Sequence, residues 1–493
     1  MIWVLIVTGV YQCSTNLSDY DKEITDMMAK DNKNNKEDKF NRSDNIQQKV
    51  LDENAKTIFD EKVRILIMNR GYQSIYHTTL SIACSEGIIV DQNGKLLEYP
   101  PNTEITLTSK DFEKNQQICI EGKNKGRLQI KNIGRNSDAK YRGKLECYVT
   151  TEGIVVINEL FVEEYLYSVV PSEMPSTYPE EALKAQAICA RTYTYFHKKN
   201  YAYPEWEAHM DDSTAFQVYM NCEETKGTIY AVDETKNQVM TYKGDIVESF
   251  YYSTSSGFNG GAGVWNDNIS DADTYLIETG EEIYTTVSEE GEQRYRLFID
   301  NGKETDIEYN EAWYRWNYER ILDQNTVKTL LQKIYQLSIS QPKEVRIRSQ
   351  FLPSDQLKNE ESIKDIRILS RKKSGMVAGI MIETNHFRVS VSSQYMIRQV
   401  LGCAQDTIIR KDGSSYTMGD ILPSAYFYIE KIYDKNEEKG NTLKQIILHG
   451  AGYGHGCGMS QNGAKKLAEK GLTAAEILAY YYNGEIKAVN TLY

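Results

Sequence analysis

Glu173 is the one acidic side chain between Pro171 and Pro175 in VVPSEMPSTYPEEALKAQAICARTYTY, residues 169–195. Proline fixes its own φ and restricts the residue before it, so this segment is stiff. A carboxylate on a stiff loop at a helix entrance is a candidate general acid or base. The plain alternative is a solvated glutamate, or one that only holds a neighbour in place.

Three further stretches carry reactive side chains. ILHGAGYGHGCGMSQNGA, residues 447–464, has six glycines between Gly450 and Gly463, a density that permits positive φ and close backbone approach. No Gly-Lys-Ser/Thr follows, so it is not a phosphate loop. Its His449, His455 and Cys457 are metal-capable but weak as a cluster. STSSG, Ser253–Gly257, presents hydroxyls that either meet a ligand or cap a turn. It lacks the G-x-S-x-G spacing of a serine nucleophile. His209, near Asp211, Asp212 and Cys222, is a single imidazole, too few for tetrahedral zinc, so neither metal nor cofactor is expected. The eight cysteines form no C-x-x-C pair.

The elements that must position these groups follow from local pattern. Pro179 suits a first helical position, Glu180 and Glu181 the first turn, and Ala182–Tyr195 continues without proline or glycine. Tyr141–Leu160 reads as a hairpin turning at Glu152-Gly153. KVRILIM, LSIACS and IIVDQNGKLLEYP read as strands of a small β domain, with His77 expected at a surface or pocket edge. VMTYKGDIVESF reads as two strands joined at Lys243-Gly244. Residues 311–337, EAWYRWNYERILDQNTVKTLLQKIYQL, read as one amphipathic segment, with Trp313 and Trp316 packing inward. Strands return from Ile366 to Val391 with a turn at Ser374-Gly375. Met396–Gly402 reads as a short helix, and Thr473 to Glu476 has the form of a capping box.

VVPSEMP followed by EEALKAQAICARTYTY resembles the signature of the stage II sporulation protein D and amidase-enhancer (SpoIID/LytB) family. G-Y-G-H-G-C-G-M-S-Q-N-G-A and S-T-S-S-G are similar to two further motifs of that family, although Tyr252 stands where a histidine is common. The motifs bracket about 290 residues. The resemblance implies a peptidoglycan lytic transglycosylase, with Glu173 as its acid and base. It implies substrate contacts from Arg191, Ser253, Ser255, His455 and Gln461. Zinc-binding members of the family use histidines and cysteines near the position of His209, a pattern this chain lacks.

Composition narrows the partners. The net charge of −13 and a pI near 5.2 argue against nucleic acid and for a neutral glycan. The 36 tyrosines suit sugar stacking, though most must pack strands and cores. The expected fold class is α+β: a β-rich catalytic domain with a central helix and C-terminal helices. A small β domain and a disordered N-terminal spacer precede it. The expected parts are a signal or membrane-anchor segment (1–13), a disordered linker (14–58), the small β domain (59–135), and a family-like catalytic domain (136–493) with an insertion around 277–365. MIWVLIVTGVYQ is short of the ~20 residues a membrane helix needs. It reads as an export signal or anchor, followed by Cys13, where Tyr11 and Gln12 do not favour lipidation. Such a chain would work outside the cytoplasm, secreted or tethered at the membrane or cell wall of a Gram-positive-type bacterium.

The resemblance implies cleavage of the β-1,4 bond between N-acetylmuramic acid and N-acetylglucosamine, leaving 1,6-anhydro ends. Ordinary glycosidases use two carboxylates; here Glu173 alone would protonate the leaving oxygen and then deprotonate the C6 hydroxyl. Val169, Val170 and Met174 would dry its surroundings and raise its pKa. The rival is a noncatalytic glycan-binding protein that assists a cell-wall amidase.

Overall fold

The computed structural model describes residues 62–108, 117–134, 140–219, 222–265, 274–349, 362–434 and 442–492. The expected signal or anchor segment, Cys13 and the linker lie outside these residues. The fold is α+β, and the described residues group into two compact units. One comprises residues 62–250, 467–480 and 484–492, the other residues 251–466 and 481–483.

The first unit is built on a seven-stranded sheet in the order 210–211, 62–67, 154–161, 144–149, 117–122, 88–92, 95–99. All pairs are antiparallel except 62–67 with 210–211. The turn of the 88–99 hairpin places Asn93 and Gly94 at positive φ, as the Asn-Gly pair anticipates. The hairpin expected at Glu152-Gly153 is the pair 144–149 and 154–161. Strand 117–122 pairs with strand 144–149, so one sheet runs through the boundary drawn from sequence at residue 135.

From the end of strand Ile154–Phe161 the chain enters helix α1 (Val162–Glu173), then α2 (Glu180–His197) and later α3 (Lys226–Glu234). Pro179 is the N-cap of α2, and Glu180 and Glu181 occupy its first turn. Alanines 182, 185, 187 and 190 are fully buried, and such small side chains let a helix sit close to its neighbours. Two three-stranded sheets also belong to this unit, 104–108, 79–83 and 129–130, and 245–246, 238–242 and 485–488, the latter packed against α2.

The second unit holds a five-stranded sheet (415–417, 407–410, 316–321, 442–450, 427–434) and a four-stranded sheet (345–349, 387–392, 377–384, 363–371). Helices α4 (Glu289–Asn301), α5 (Gln324–Ser340) and α6 (Gln394–Leu401) belong to it. The apolar faces of α5 and α6 share one core with Trp316, Tyr318, Ile380, Phe427 and Leu448. Residues 311–337 are therefore not one amphipathic helix. Trp316–Ile321 alternates buried and exposed with a period of two and pairs with 442–450. Asp323 then caps α5, accepting from the Thr326 N–H at 2.8 Å. Trp316 packs in the core as expected, and Trp313 lies partly buried against it. Helix α7 (Gln461–Glu469) starts in this unit, whereas α8 (Ala474–Tyr481) belongs to the first unit but for Tyr481; the capping box before α8 forms, the Glu476 carboxylate accepting from the Thr473 N–H at 2.8 Å.

Candidate functional site

Glu173 is not in a loop. It is the last residue of α1. Pro175 forces Met174 into extended backbone (φ −132°, ψ 132°), and this ends the helix at Glu173. Pro171 lies in the last turn, where its ring stiffens the end that carries the carboxylate. The Glu173 side chain is half-buried, and its Oε1 accepts from the Val218 N–H at 2.6 Å. Ser172 turns back to donate to the Ser168 carbonyl at 2.6 Å. Val169, Val170 and Met174, expected to dry the surroundings, are all fully buried.

Two phenols share this neighbourhood. Tyr165 is fully buried and Tyr193 nearly so. Burial chiefly, and then the nearby Glu173 charge, push the Tyr165 hydroxyl well above its ordinary range. Burial and the charges of Glu248, Glu173 and Asp211 do the same to Tyr193. One turn along α2, the His197 ring lies 4.2 Å from the Tyr193 ring, and its Nε2 meets Glu248 Oε1 at 3.1 Å. Phe216 packs edge-on against His197 at 5.4 Å. Asp211 accepts from the Tyr203 hydroxyl at 2.6 Å and the Ser213 N–H at 2.7 Å. The sequence reading passed over Tyr193, His197 and Glu248. The i, i+4 spacing of Tyr193 and His197 on a predicted helix was the available clue; Glu248 carried none.

Arg191, read as a substrate contact, is a buried brace. Its side chain is fully buried and grips Glu163 of α1 through Nε–Oε1 at 2.9 Å and Nη2–Oε2 at 2.7 Å. It also donates to the Val232 carbonyl at 3.0 Å, and to Thr235 Oγ1 and the Gln238 carbonyl at 3.3 Å each. One guanidinium thus ties α1, α2, the end of α3 and strand 238–242. No face of it is left for a ligand.

His77, expected at a surface or pocket edge, is buried, with Nε2 bonded to the Ile67 carbonyl at 2.9 Å. His209 is buried too. Its Nδ1 accepts from the Arg64 N–H at 3.1 Å, and its ring stacks on Tyr201 at 4.9 Å. Burial, reinforced by the Lys198 and Arg64 cations, pushes its pKa down to about 3. Nδ1 is thus taken while the buried Nε2 has no hydrogen-bond partner, and among the described residues no three His, Cys, Asp or Glu side chains gather to hold a metal ion.

In the second unit, short strands 251–252 and 459–460 pair in parallel and bring STSSG beside the glycine-rich segment. Asn462 N–H donates to the Ser253 carbonyl at 3.0 Å, and its side chain donates to Thr254 Oγ1 at 2.9 Å. Ser255 is buried in a capped turn: its Oγ accepts from the Gly257 N–H at 3.0 Å and donates to the Phe258 carbonyl at 3.3 Å. Its expected role as a ligand contact gives way to that turn. Ser253 and Gln461 are half-buried. His455 Nδ1 accepts from the Cys457 N–H at 3.1 Å, so Nε2 carries the proton and donates to the Tyr251 carbonyl at 2.9 Å. Burial and the Arg398 cation push its pKa down to about 3, so the ring stays neutral. Its nitrogens hold the loop and are not offered to a sugar; its ring packs against half-exposed Trp265 at 5.0 Å.

Glu308 was not singled out from sequence. Its buried Oε2 accepts from the Ser255 N–H at 2.9 Å and the Ser460 hydroxyl at 2.7 Å. Burial pushes its pKa up to about 7, against the opposing effect of these two donors. Its partners lie 53 and 152 residues away in the chain, and no local pattern links them.

Residues 150–242 match a family model described as Stage II sporulation protein, and residues 259–458 match a model described as a domain of unknown function. The chain is 28% identical over 324 residues to the amidase enhancer of Bacillus subtilis, an alignment covering 65% of this chain and 39% of that protein. It is 37% identical over 116 residues to stage II sporulation protein D of Bacillus subtilis, covering 21% of this chain and 34% of that one. The chain thus spans well under two thirds of the length of both relatives.

Proposed function

On the premise that this chain belongs to the stage II sporulation protein D and amidase-enhancer family, we propose that it is a peptidoglycan lytic transglycosylase with Glu173 as its acid. The substrate is the glycan strand, cut between N-acetylmuramic acid and N-acetylglucosamine to leave 1,6-anhydro ends. Work on that polymer places the protein outside the cytoplasm. Among the described residues no helix is long and apolar enough to cross a membrane.

The observation that supports this reading is the setting of Glu173. Its carboxylate sits at the end of a proline-stiffened helix turn, one oxygen accepts from the Val218 amide, its chain neighbours Val169, Val170 and Met174 are buried, and its charge reaches the phenols of Tyr165 and Tyr193. A fixed acid in dry surroundings is what protonation of a glycosidic oxygen requires. As the C1–O4 bond breaks, O4 takes the Glu173 proton. The C6 hydroxyl then closes on C1 and loses its own proton to a base. Ser253 and Gln461 are the proposed hydrogen-bonding contacts to glycan.

A second reading is a noncatalytic binder that assists an amidase, for which the 324-residue alignment with the protein named amidase enhancer is the motive. Digestion of peptide-free glycan strands, with mass analysis of the ends, separates the two. Anhydro ends from the wild type, lost in Glu173→Gln, support the enzyme. Strand binding with no new ends supports the binder.

A further inference from the structure

We propose that His197 and Glu248 form a second proton-transfer group in the Glu173 site, with His197 as base and Glu248 as the carboxylate that orients it. The proposal rests on the cleavage reading and deepens it, because that reading names Glu173 as the acid and leaves unnamed the base that takes the C6 proton.

Three observations bring the pair to Glu173. The first is a short bridge: Val218 holds Glu173 by its N–H, and Phe216 packs on the His197 ring. Two extended residues cover at most about 7 Å, so the acid and the imidazole flank one short segment. The second is the face of α2: Tyr193 and His197 are one turn apart with rings 4.2 Å apart. The third is electrostatic: the Tyr193 hydroxyl feels both Glu173 and Glu248, along with Asp211. Asp211 is already engaged by Tyr203 and Ser213.

The pair has the form of an oriented base. With Nε2–H donated to Glu248, a neutral His197 has its lone pair on Nδ1. A carboxylate that fixes the tautomer of an imidazole is the arrangement behind many general bases. The two side chains are 21% and 27% exposed, open enough for a substrate hydroxyl to reach and shielded enough to keep the pair together. This pair stands apart from the buried braces Arg191–Glu163 and Arg371–Glu292, whose arginines are wholly enclosed.

The step balances without any further reactant. The Glu173 proton goes to O4 as the C1–O4 bond breaks. The C6 oxygen forms the new bond to C1, and its proton goes to His197. Solvent returns that proton to Glu173 between turnovers. No atom changes oxidation state.

The test compares wild type, His197→Gln, Glu248→Gln and Glu173→Gln on peptide-free strands, measuring anhydro ends against pH alongside strand binding and melting. His197→Gln is expected to lower turnover roughly 100-fold or more, a general base's usual share. Binding and melting should hold, and the rise of rate with pH that reports the imidazole should vanish. Glu248→Gln should lose less, because the imidazole stays and only the carboxylate that orients it is gone. A His197→Gln enzyme within about threefold of wild type, with an unaltered pH profile, overturns the proposal. If wild type releases no ends, the cleavage reading fails, and the nitrogen NMR signature of the His197 tautomer decides the pair separately. An Nε2–H tautomer in wild type that is lost in Glu248→Gln supports the pair; a tautomer unchanged in Glu248→Gln overturns it.

Discussion

Arg191 and Glu163 form a two-pronged ion pair, at 2.9 and 2.7 Å, with the arginine wholly buried and the carboxylate largely so. The guanidinium geometry matches the carboxylate, and three more acceptors complete it, so the buried charge is satisfied on every side. Removing one partner leaves the other charge stranded in a dry interior.

Arg191→Ala is therefore expected to destabilise the protein by about 3–5 kcal/mol, the usual cost of breaking a buried pair. Arg191→Lys should recover only part of that, since an ammonium cannot span both oxygens and three further acceptors. Chemical denaturation followed by circular dichroism would check both. A near-neutral Arg191→Ala would refute the bracing role and reopen Arg191 as a ligand contact.

Glu173→Gln keeps the shape of the side chain and removes its proton chemistry. Release of anhydro ends should fall by a factor of ~100 or more, within the range general acids contribute. Stability should change little, because an amide oxygen can still accept from Val218. Parallel end-group analysis and thermal melting would check this; a large loss of melting temperature would mean a structural role instead.

Glu308 should make stability pH-dependent. Its folded pKa, about 7, lies above the unfolded value near 4.3. A raised pKa means the folded state holds the proton more tightly. The added stability is full below about pH 4 and is lost as pH rises through about 7. The span is on the order of 3 kcal/mol. Glu308→Gln should flatten that decline while leaving the acid-side stability close to wild type. Denaturation midpoints measured from pH 4 to 8 in both proteins would show it; identical slopes would exclude a proton on Glu308.

Gly463 leaves room at the start of α7. A Cβ there would press on the Tyr481 hydroxyl and come within 2.8 Å of Glu308 Oε1. Alanine is favoured over glycine in a helix by about 1 kcal/mol, but crowding a rigid, buried tyrosine costs ~1–3 kcal/mol. Gly463→Ala is expected to destabilise on balance, and to do so less when combined with Tyr481→Phe. Melting of the single and double variants would measure the coupling.

What sequence alone determined depends on neighbours a few residues apart. Pro179, Glu180 and Glu181 specify where α2 begins, and Thr473 and Glu476 cap α8, through local backbone geometry. The Glu152-Gly153 hairpin and the β-rich, α+β character follow from alternation that any single strand displays. The motifs around Glu173 and Gly454 were legible as strings and pointed to the family. Tertiary structure decided what each side chain does. Arg191 meets a glutamate 28 residues away, His455 a carbonyl 204 away, and Glu308 a hydroxyl 152 away. Even the helical ending at Glu173, read as loop from its prolines, was decided this way: α1 packs against α2 and α3, and that packing extends the helix through Pro171. Burial and long-range partners set the charge, tautomer and reach of these groups, and neither can be read from residue order, because chain separation says nothing about distance once the core has closed.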